Sequence, residues 1–367
     1  MIKILHFVSS LSVTNGITNF IMNYYRNISK DNIQFDFIYF VEEQVVFSEE
    51  IHALGGKVFL LPRPTSINGI KAYHDFFKRN AGNYKAIHNH EVYLNFFIAA
   101  LAKKYKIPNV IIHAHAVKYS EKWLNNIRNG LLCKFVKLNT NYFFACSIKS
   151  ACHLYGKRFM NEGKVTIIKN AIDYSKYAFD GKKRERLRKN LNIGEDTLVI
   201  GHVGRFSYAK NHAKIIEIFN EICKLYKDTL LILIGDGPLI KQIKSKIIEL
   251  KIEDRVKFLG ETDQAHMLYN IFDIFLFPSL HEGLGIAAIE AQVAGIPCFV
   301  SEAISQEVFI SDWIFQLNNK NDSSYWAKYI IDKYSKVNKN NILSETMSKE
   351  YDINCNTEKL ESFYIDL

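Results

Sequence analysis

The sequence predicts an α/β protein built from two Rossmann-like, doubly wound domains. Short runs of β-branched and aromatic residues alternate with longer stretches of helical period, a pattern typical of parallel sheets covered by helices. This alternation occurs twice along the 367-residue chain, which is too long for one average core. A polar, charged stretch at residues 171–197 separates the two series, and we interpret it as a linker with one surface helix. We therefore expect domains at residues 1–178 and 179–350.

Each series supplies enough strands for a complete sheet. The first series contains seven candidates, at residues 2–10, 34–40, 57–61, 85–90, 109–115, 142–147 and 165–169. The second contains six candidates, at residues 197–204, 230–237, 255–260, 273–279, 296–301 and 312–317. Open parallel sheets bind ligands at the carboxyl ends of their strands, so we expect the two domains to face each other across a ligand-binding cleft.

The composition excludes several classes of protein. Six scattered cysteines without CxxC pairs are typical of a reduced, cytosolic protein rather than a disulfide framework. The N-terminal run MIKILHFVSSLS lacks a small-residue cleavage site and predicts a buried first strand rather than a signal peptide. No segment reaches the roughly 18 uninterrupted apolar residues of a membrane span. We expect a cytoplasmic protein that is soluble or associates peripherally with a membrane.

The excess of positive charge, +9 overall, lies in the first half of the chain. Residues 1–180 contain 23 Lys/Arg against 12 Asp/Glu, whereas residues 181–367 contain 24 against 26. Residues 101–158 hold 11 basic residues and one acidic residue, interleaved with Trp, Leu and Phe. This pattern fits either a helix that faces anionic lipid or an amphipathic helix with a solvated basic face. Nucleic acid is a third candidate partner, but the sequence contains no recognition module for it.

Two loops of the second series carry candidate ligand contacts. GHVGRFSYAKNH places Arg205 and Lys210 in a loop between a strand and a helix, where cations and backbone donors suit a diphosphate. Most such basic pairs are solvated surface, but the position directly after a buried strand favours binding. LIGDGPL (234–240) is a Gly-Asp-Gly turn. The glycines and the aspartate either serve only the turn, with the aspartate capping the next helix, or this loop forms one side of the pocket for a nucleotide base.

The motif EGLGIAAIE is the most specific feature. Gly283 and Gly285 allow close approach of backbone to a ligand, and a helix beginning near Leu284 or Gly285 presents free N–H groups to hydroxyls or phosphate. Glu282 precedes that helix and Glu290 lies inside it, so we expect the two carboxylates to contact different parts of one extended ligand. Carboxylates are good acceptors for the vicinal hydroxyls of a ribose. Alternatively, Glu290 pairs with a structural arginine and Glu282 only interacts with the helix dipole.

Five segments, in this order and spacing, resemble the retaining GT-B glycosyltransferases of family 4: VGRFSYAK, LIGDGP, VKFLG, FPSLHEGLGIAAIEA and GIPCFVS. The resemblance covers essentially the whole second half and is strongest to enzymes of bacterial capsular and exopolysaccharide synthesis. It implies that Arg205 and Lys210 hold the donor diphosphate. It also implies that Glu282 contacts the donor sugar and that Glu290 binds the ribose. In this family the C-terminal helix, here at about 351–367, packs back on the first domain.

The first half resembles the same family more loosely. VSSLSVTNGITNFIMNY is similar to the glycine-rich loop after the first strand, whose backbone reaches the donor phosphate. Many members have two adjacent glycines in this loop, whereas this chain has only Gly16. The resemblance therefore implies a phosphate contact for the backbone of Gly16, with less detail about its geometry.

Histidines end two of the predicted strands, in the sequences HNH and HAH. Strand alternation puts His113 and His115 on one side of their strand. The resemblance places a histidine beside the donor sugar, with His115 the first candidate and His113 the second, and leaves His88 and His90 to shape the acceptor side. Such pairs could ligate a metal, but we expect no third acidic or thiolate ligand to join them. The family generally needs no metal for catalysis, so we expect neither a metal nor another cofactor.

Together these features predict a retaining glycosyltransferase. It would move a hexose or N-acetylhexosamine from a nucleotide diphosphate sugar, with UDP the expected nucleotide, to a saccharide acceptor in bacterial surface polysaccharide synthesis. The family implies a lipid-linked acceptor at the inner face of the plasma membrane, with residues 101–158 on the anionic lipid surface. One alternative is a nucleotide-sugar epimerase on the same fold, which converts donor without an acceptor. Another is a non-catalytic subunit that binds UDP-sugar or membrane.

Overall fold

The computed structural model describes residues 1–13, 15–115, 123–262, 264–336 and 347–367. These residues form two compact units, one of residues 1–172 with 350–367 and the other of residues 173–349. The division falls before residue 173 rather than before residue 179. The expected membrane segment 101–158 is described except for residues 116–122, which lie outside the described residues.

The first unit contains a parallel sheet of seven described strands in the order β3-β2-β1-β4-β5-β6-β7. The strands are β1 (Ile2–Phe7), β2 (Ile33–Tyr39), β3 (Val58–Leu60), β4 (Ala86–Asn89), β5 (Asn109–Ala114), β6 (Tyr142–Ala145) and β7 (Val165–Ile167). Strand β1 pairs with β2 on one side and with β4 on the other. The direction of chain progression across the sheet therefore reverses between β1 and β4, which is where such sheets bind ligands.

Eight described helices belong to the first unit. They are α1 (Gly16–Asn27), α2 (Ser48–Ala53), α3 (Ile67–Asn80), α4 (Asn95–Lys104), α5 (Trp123–Cys133), α6 (Ile148–Tyr155), α7 (Lys157–Asn161) and, at the end of the chain, α15 (Ile353–Ile365). The C-terminal helix packs on the same core as α1, where Leu360 and Tyr364 are buried together with Phe20 and Tyr24. Apolar burial thus returns the end of the chain to the first unit.

The second unit contains a parallel sheet of six described strands in the order β10-β9-β8-β11-β12-β13. The strands are β8 (Leu198–Val203), β9 (Thr229–Ile234), β10 (Val256–Gly260), β11 (Ile274–Phe277), β12 (Cys298–Ser301) and β13 (Ile314–Leu317). Its described helices are α8 (Tyr174–Tyr177), α9 (Gly181–Asn190), α10 (His212–Leu225), α11 (Ile240–Glu249), α12 (Ala265–Leu268), α13 (Ile286–Val293) and α14 (Ser323–Ser335). The strand order reverses between β8 and β11.

The predicted fold class, α/β with two Rossmann-like parallel-sheet domains, is confirmed. Every predicted strand segment contains a strand, because strands buried on both faces read as continuous apolar runs. The charged stretch at 171–197 is more than a linker with a surface helix. Arg184 and Arg188 of α9 bind the buried carboxylate of Asp273 at 2.7 and 3.2 Å, which anchors α9 to the second unit. Among the described helices, none is long and apolar enough to cross a membrane.

Candidate functional site

Two loops meet at the reversal point of the second sheet. One follows β8 and the other follows β11, and these two strands are neighbours. The amide of Leu280 donates to the carbonyl of Ala209 at 2.7 Å, and the side-chain amide of Asn211 donates to the carbonyl of Pro278 at 3.1 Å. These bonds hold the two loops together at the carboxyl end of the sheet, where α/β proteins bind their ligands.

Lys210 and Glu282 form an ion pair across these loops. The ammonium nitrogen lies 2.6 Å from Oε1 of the carboxylate, which also accepts a hydrogen bond from the hydroxyl of Ser279 at 2.8 Å. The ammonium sits 4.7 Å from the ring centroid of Phe277. An ammonium has three N–H donors, so Lys210 retains donors for an anion while Glu282 fixes its position. The structure therefore brings these two predicted site residues into direct contact.

Arg205 lies in the same loop as Lys210 but is exposed. Its guanidinium makes no hydrogen bond or ion pair within the described part of the chain. The backbone beneath it packs closely on the loop after β9, because Gly235 has φ +132° and a Cβ there would lie 2.3 Å from the carbonyl oxygen of Gly204. Five unpaired N–H donors on a firmly held loop are suited to a phosphate.

The Gly-Asp-Gly turn at residues 235–237 supports the Arg205 loop. The amide of Phe206 donates to the carbonyl of Asp236 at 2.9 Å, and the amide of Leu239 donates to the carbonyl of Phe206 at 3.1 Å. The expectation that Asp236 caps the next helix is wrong. Helix α11 has Leu239 at its N-cap, and the Asp236 carboxylate accepts from the adjacent amide of Gly237 at 2.7 Å.

Helix α13 starts at Ile286, one residue later than expected, with Gly285 at its N-cap in the left-handed region at φ +90°. No side chain caps this end. Within the described residues, the amides of Ile286 and Ala287 have no hydrogen-bond acceptor, which leaves them available to an anion or hydroxyl. Gly283 is exposed, and a Cβ there would meet no atom within 4 Å. Protein packing therefore does not require glycine at position 283.

Glu290 is held by two tyrosines rather than by an arginine. Its Oε1 accepts from the hydroxyl of Tyr177 at 2.7 Å, and its Oε2 accepts from the hydroxyl of Tyr269 at 2.6 Å. Burial raises the pKa of the carboxyl, while the two tyrosine hydrogen bonds act in the opposite direction. Each carboxylate oxygen has two lone pairs, so both retain the capacity to accept from a vicinal diol. The arginine alternative is thereby excluded for the described residues.

Gly16 is the first residue of α1, which follows β1 at the reversal point of the first sheet. The side chain of Asn15 accepts from the amides of Ile17 and Thr18 at 2.9 and 3.2 Å, so these two donors are occupied. Within the described residues, the Gly16 amide has no acceptor, and a Cβ at this position would meet no atom within 4 Å. Only the Gly16 amide of this first turn is thus left for a phosphate oxygen.

Five histidines from three adjacent strands form a cluster at the carboxyl end of the first sheet: His6, His88, His90, His113 and His115. The rings of His113 and His115 stack with centroids 4.2 Å apart, as strand alternation predicts. His90 lies between two hydrogen-bonded neighbours, His6 at 3.0 Å and His115 at 2.8 Å. We call these five side chains the histidine cluster.

Burial keeps the histidine cluster neutral. It lowers the pKa of His6 and His115 to about 3, and it lowers those of the other three well below the ordinary range. His113 is completely buried, whereas His115 is partly exposed, so of the two candidates only His115 reaches the surface. His88 and His90 are also buried, and their contacts are to other histidines and to Tyr364 rather than to an open acceptor surface.

Comparison with known proteins places this geometry in a family context. Residues 183–349 match the model of the family described as glycosyl transferases group 1. The matched range lies within the second unit. Over 334 residues the chain is 29% identical to EpsF of Bacillus subtilis, a protein named as a glycosyltransferase, covering 89% of this chain and 86% of that protein.

A second relative has a more specific name. It is the UDP-Gal:alpha-D-GlcNAc-diphosphoundecaprenol alpha-1,3-galactosyltransferase of Escherichia coli, 22% identical over 299 residues, or 77% of this chain and 76% of that protein. Among solved structures, HepE of Anabaena in complex with UDP superposes with a TM-score of 0.80 at 17% identity over the whole of both chains. At that identity the likeness shows the shared GT-B fold alone.

The sequence does not reveal the side chains that hold Glu290. Tyr177 and Tyr269 bind Glu290 from sequence separations of 113 and 21 residues, and no local pattern marks either of them. In the first unit, His6 is a member of the histidine cluster that the HNH and HAH motifs do not include. Its position near the end of β1 marks it, because the other cluster members also lie at strand ends.

Proposed function

We propose that this protein is a retaining glycosyltransferase that moves a hexose or N-acetylhexosamine from a UDP-sugar to a saccharide acceptor. The observation that carries the proposal is the ion pair of Lys210 with Glu282 at the reversal point of the second sheet. This pair lies in the same loops as the unpaired guanidinium of Arg205 and the uncapped start of α13. The group 1 family match and the names of the relatives support the same activity.

The donor would bind through three kinds of contact. Arg205 and Lys210 would hold the diphosphate, while the loop 283–285 would approach the donor with its free amides. Glu290 would accept the ribose hydroxyls through lone pairs that its tyrosines leave unused. Glu282 would contact the donor sugar, so the same carboxylate that fixes Lys210 would also orient the sugar.

The charge distribution suits departure of a diphosphate. Negative charge grows on the leaving group in the transition state, and fixed cations there can contribute several kcal/mol of stabilisation. Retention would follow a front-face route, in which the leaving phosphate helps to deprotonate the acceptor. In the first unit, the partly exposed and neutral His115 would offer a sugar an uncharged hydrogen-bonding group. This scheme uses no metal ion.

A panel of nucleotide sugars tests the activity. Purified full-length protein is expected to bind UDP-sugars in preference to other nucleotide sugars, and to transfer the sugar once a lipid-linked saccharide acceptor is added. Conversion of the donor to its epimer without an acceptor would instead establish the epimerase. Tight binding with neither transfer nor slow donor hydrolysis across the panel would favour a binding subunit.

The surface of α5 and the turns after it supports a membrane-bound acceptor. Five large apolar side chains are each more than half exposed at helical spacing: Leu124, Ile127, Leu131, Phe135 and Leu138. Arg128, Lys134 and Lys137 are interspersed among them and are also exposed. Apolar side chains beside cations match the interface of an anionic bilayer. We therefore assign this stripe to the lipid surface at the inner face of the plasma membrane, in surface polysaccharide synthesis.

Vesicle sedimentation tests the lipid assignment. The protein is expected to bind vesicles with anionic lipid, to bind neutral vesicles less, and to dissociate as salt rises because surface charges are screened. The double variant Leu124→Ser/Leu131→Ser is expected to lose binding while remaining folded. Ile248→Ser is a matched control, because Ile248 is a similarly exposed apolar residue, 61% accessible, in the second unit. Equal binding to neutral and anionic vesicles would contradict the assignment.

A further inference from the structure

The histidine cluster has nitrogen atoms placed for a metal ion. The nitrogens of His90, His113 and His115 include one set that lies within 4.8 Å of one another, although no acidic or thiolate group of the described residues joins them. The fold brings His90 to the strand-end pair His113 and His115 as a third histidine. Imidazole alone is a sufficient ligand type for Zn²⁺ and similar ions.

Two of these rings can direct lone pairs at one point. Nδ1 of His90 and Nε2 of His115 lie 2.8 Å apart, and Nε2 of His90 lies 3.0 Å from Nδ1 of His6. A neutral imidazole carries a proton on one nitrogen and a lone pair on the other. If His90 donates to His6, its Nδ1 lone pair faces Nε2 of His115. Ligand atoms on a tetrahedral ion with bonds of about 2.0–2.1 Å lie roughly 3.3 Å apart. The two nitrogens of His90 and His115, now 2.8 Å apart, would therefore need to move only slightly away from each other to bind one ion.

The third ring has a nitrogen to offer. Nε2 of His113 is buried and has no hydrogen-bond partner among the described residues, whereas its Nδ1 lies 3.2 Å from Nε2 of His88. Nδ1 of His88 in turn lies 2.6 Å from the hydroxyl of Tyr364. If His113 donates to His88 and His88 to Tyr364, Nε2 of His113 becomes a buried lone pair without a donor. Such a group is costly to bury, and a cation would satisfy it.

A second set of three, His6, His88 and His90, meets the same distance criterion. All three of its members are buried, so an ion would have no access and no place for a water ligand. The first set includes His115, which is partly exposed, so solvent reaches this set. His6 and His88 then serve as hydrogen-bond acceptors behind His90 and His113, the outer contacts that metal-ligating histidines ordinarily have.

We propose that His90, His113 and His115 bind one divalent transition-metal ion of the Zn²⁺ type through Nδ1, Nε2 and Nε2, with water in the fourth position. The site is additional to the donor site of the second unit and does not depend on the proposed transfer reaction. Because the ion would take Nε2 of His115, it would compete with any role of that nitrogen toward a sugar. Metal binding would therefore inhibit transfer rather than assist it.

Metal titration of the untagged, chelator-treated full chain tests the proposal. Calorimetry is expected to give one Zn²⁺ per chain, and Co²⁺ is expected to develop the visible absorption of a four-coordinate ion. His115→Gln is expected to lower Zn²⁺ affinity at least tenfold and to abolish that absorption. His52→Gln, a change of an exposed histidine in the same unit, is expected to alter neither.

Two further variants separate this site from the other set of three. His113→Gln is expected to weaken Zn²⁺ binding as His115→Gln does, provided that circular dichroism shows the variant to be folded. If His113→Gln does not fold, the result for His115→Gln alone decides the test. His6→Gln removes only an outer contact and is expected to weaken binding by roughly tenfold while the Co²⁺ spectrum remains. Absence of saturable binding to the folded wild-type chain would overturn the proposal. So would full binding by His115→Gln.

Discussion

Lys210 and Glu282 form an ion pair of 2.6 Å between the loops that follow two neighbouring strands, β8 and β11. Their side chains are 21% and 10% exposed, so water only partly solvates either charge. Removing one partner leaves the other charge poorly compensated, which costs more than the pair contributes as a whole. The pair thus links the stability of the second unit to the position of a cation at the proposed donor site.

This link predicts that stability and activity respond differently to the same variants. Lys210→Ala is expected to lower the melting temperature because it leaves the Glu282 carboxylate without its counter-charge. Adding the change Glu282→Gln is expected to bring the melting temperature most of the way back to that of the wild type. Activity is not expected to recover, since the double variant still lacks the cation at the diphosphate. Melting temperature and kcat/KM with the UDP-sugar found by the panel measure the two effects. Parallel recovery of both would remove Lys210 from the diphosphate.

Arg205 is expected to affect activity without affecting stability. Its side chain is exposed and makes no hydrogen bond or ion pair within the described residues, so Arg205→Ala is expected to leave the melting temperature unchanged. We expect kcat/KM to fall on the order of 10²-fold, the range for loss of a charge-stabilising donor. Arg186→Ala changes another exposed arginine of the same unit and is expected to affect neither quantity. A near-normal rate for Arg205→Ala would exclude its assigned role.

The two sheets were predictable from the sequence because parallel strands buried on both faces appear as continuous apolar runs. Lys210 and Glu282 were predictable as site residues because they follow the carboxyl ends of two such runs. The boundary between the units was less predictable. Residues 173–178 belong to the second unit, where Tyr177 binds Glu290, 113 residues away, and no local pattern reveals this contact. The partners of Glu290 were missed for the same reason, since hydrogen bonds between side chains distant in sequence depend on the completed fold.

Glu290→Gln tests the ribose assignment. The amide preserves shape but loses the charge, and a hydrogen bond to a charged group contributes about 1.5–3 kcal/mol. UDP affinity by calorimetry is therefore expected to fall at least tenfold, with a smaller effect on turnover at saturating donor. Glu249→Gln, at an exposed position of α11, is the control and is expected to bind UDP normally. Unchanged UDP affinity in Glu290→Gln would show that the ribose binds elsewhere.

Asp273→Asn tests the anchor of α9. The buried carboxylate of Asp273 pairs with Arg184 and Arg188 and also accepts from the amide of Val199 at 2.9 Å. Neutralising it leaves the buried Arg188 guanidinium without its counter-charge, which is expected to cost about 3–5 kcal/mol of unfolding free energy. Chemical denaturation measures this loss. Asp254→Asn, at an exposed aspartate of the same unit, is expected to change the unfolding free energy little, and an equally small effect at Asp273 would contradict the anchor.

His212 makes the second unit sensitive to acid. Its ring stacks on Phe206 with centroids 4.0 Å apart and meets the edge of His202, and neither ring nitrogen has a hydrogen-bond partner among the described residues. Burial, with a smaller contribution from Lys210, lowers its pKa to about 4. The unfolded chain, with an ordinary pKa of about 6.5, therefore binds the proton first as the pH falls.

The sign of the effect follows from this difference in proton binding. Stability from a neutral His212 is fully present above pH 6.5 and is lost as the pH falls from there toward 4, amounting to about 1 kcal/mol between pH 7.5 and 5.5. His212→Phe keeps a stacked ring without the titrating nitrogens, so its melting temperature is expected to drop less over that interval than that of the wild type. His281→Gln changes an exposed histidine and is expected to behave like the wild type. An unchanged pH dependence in His212→Phe would show that other groups account for the acid sensitivity.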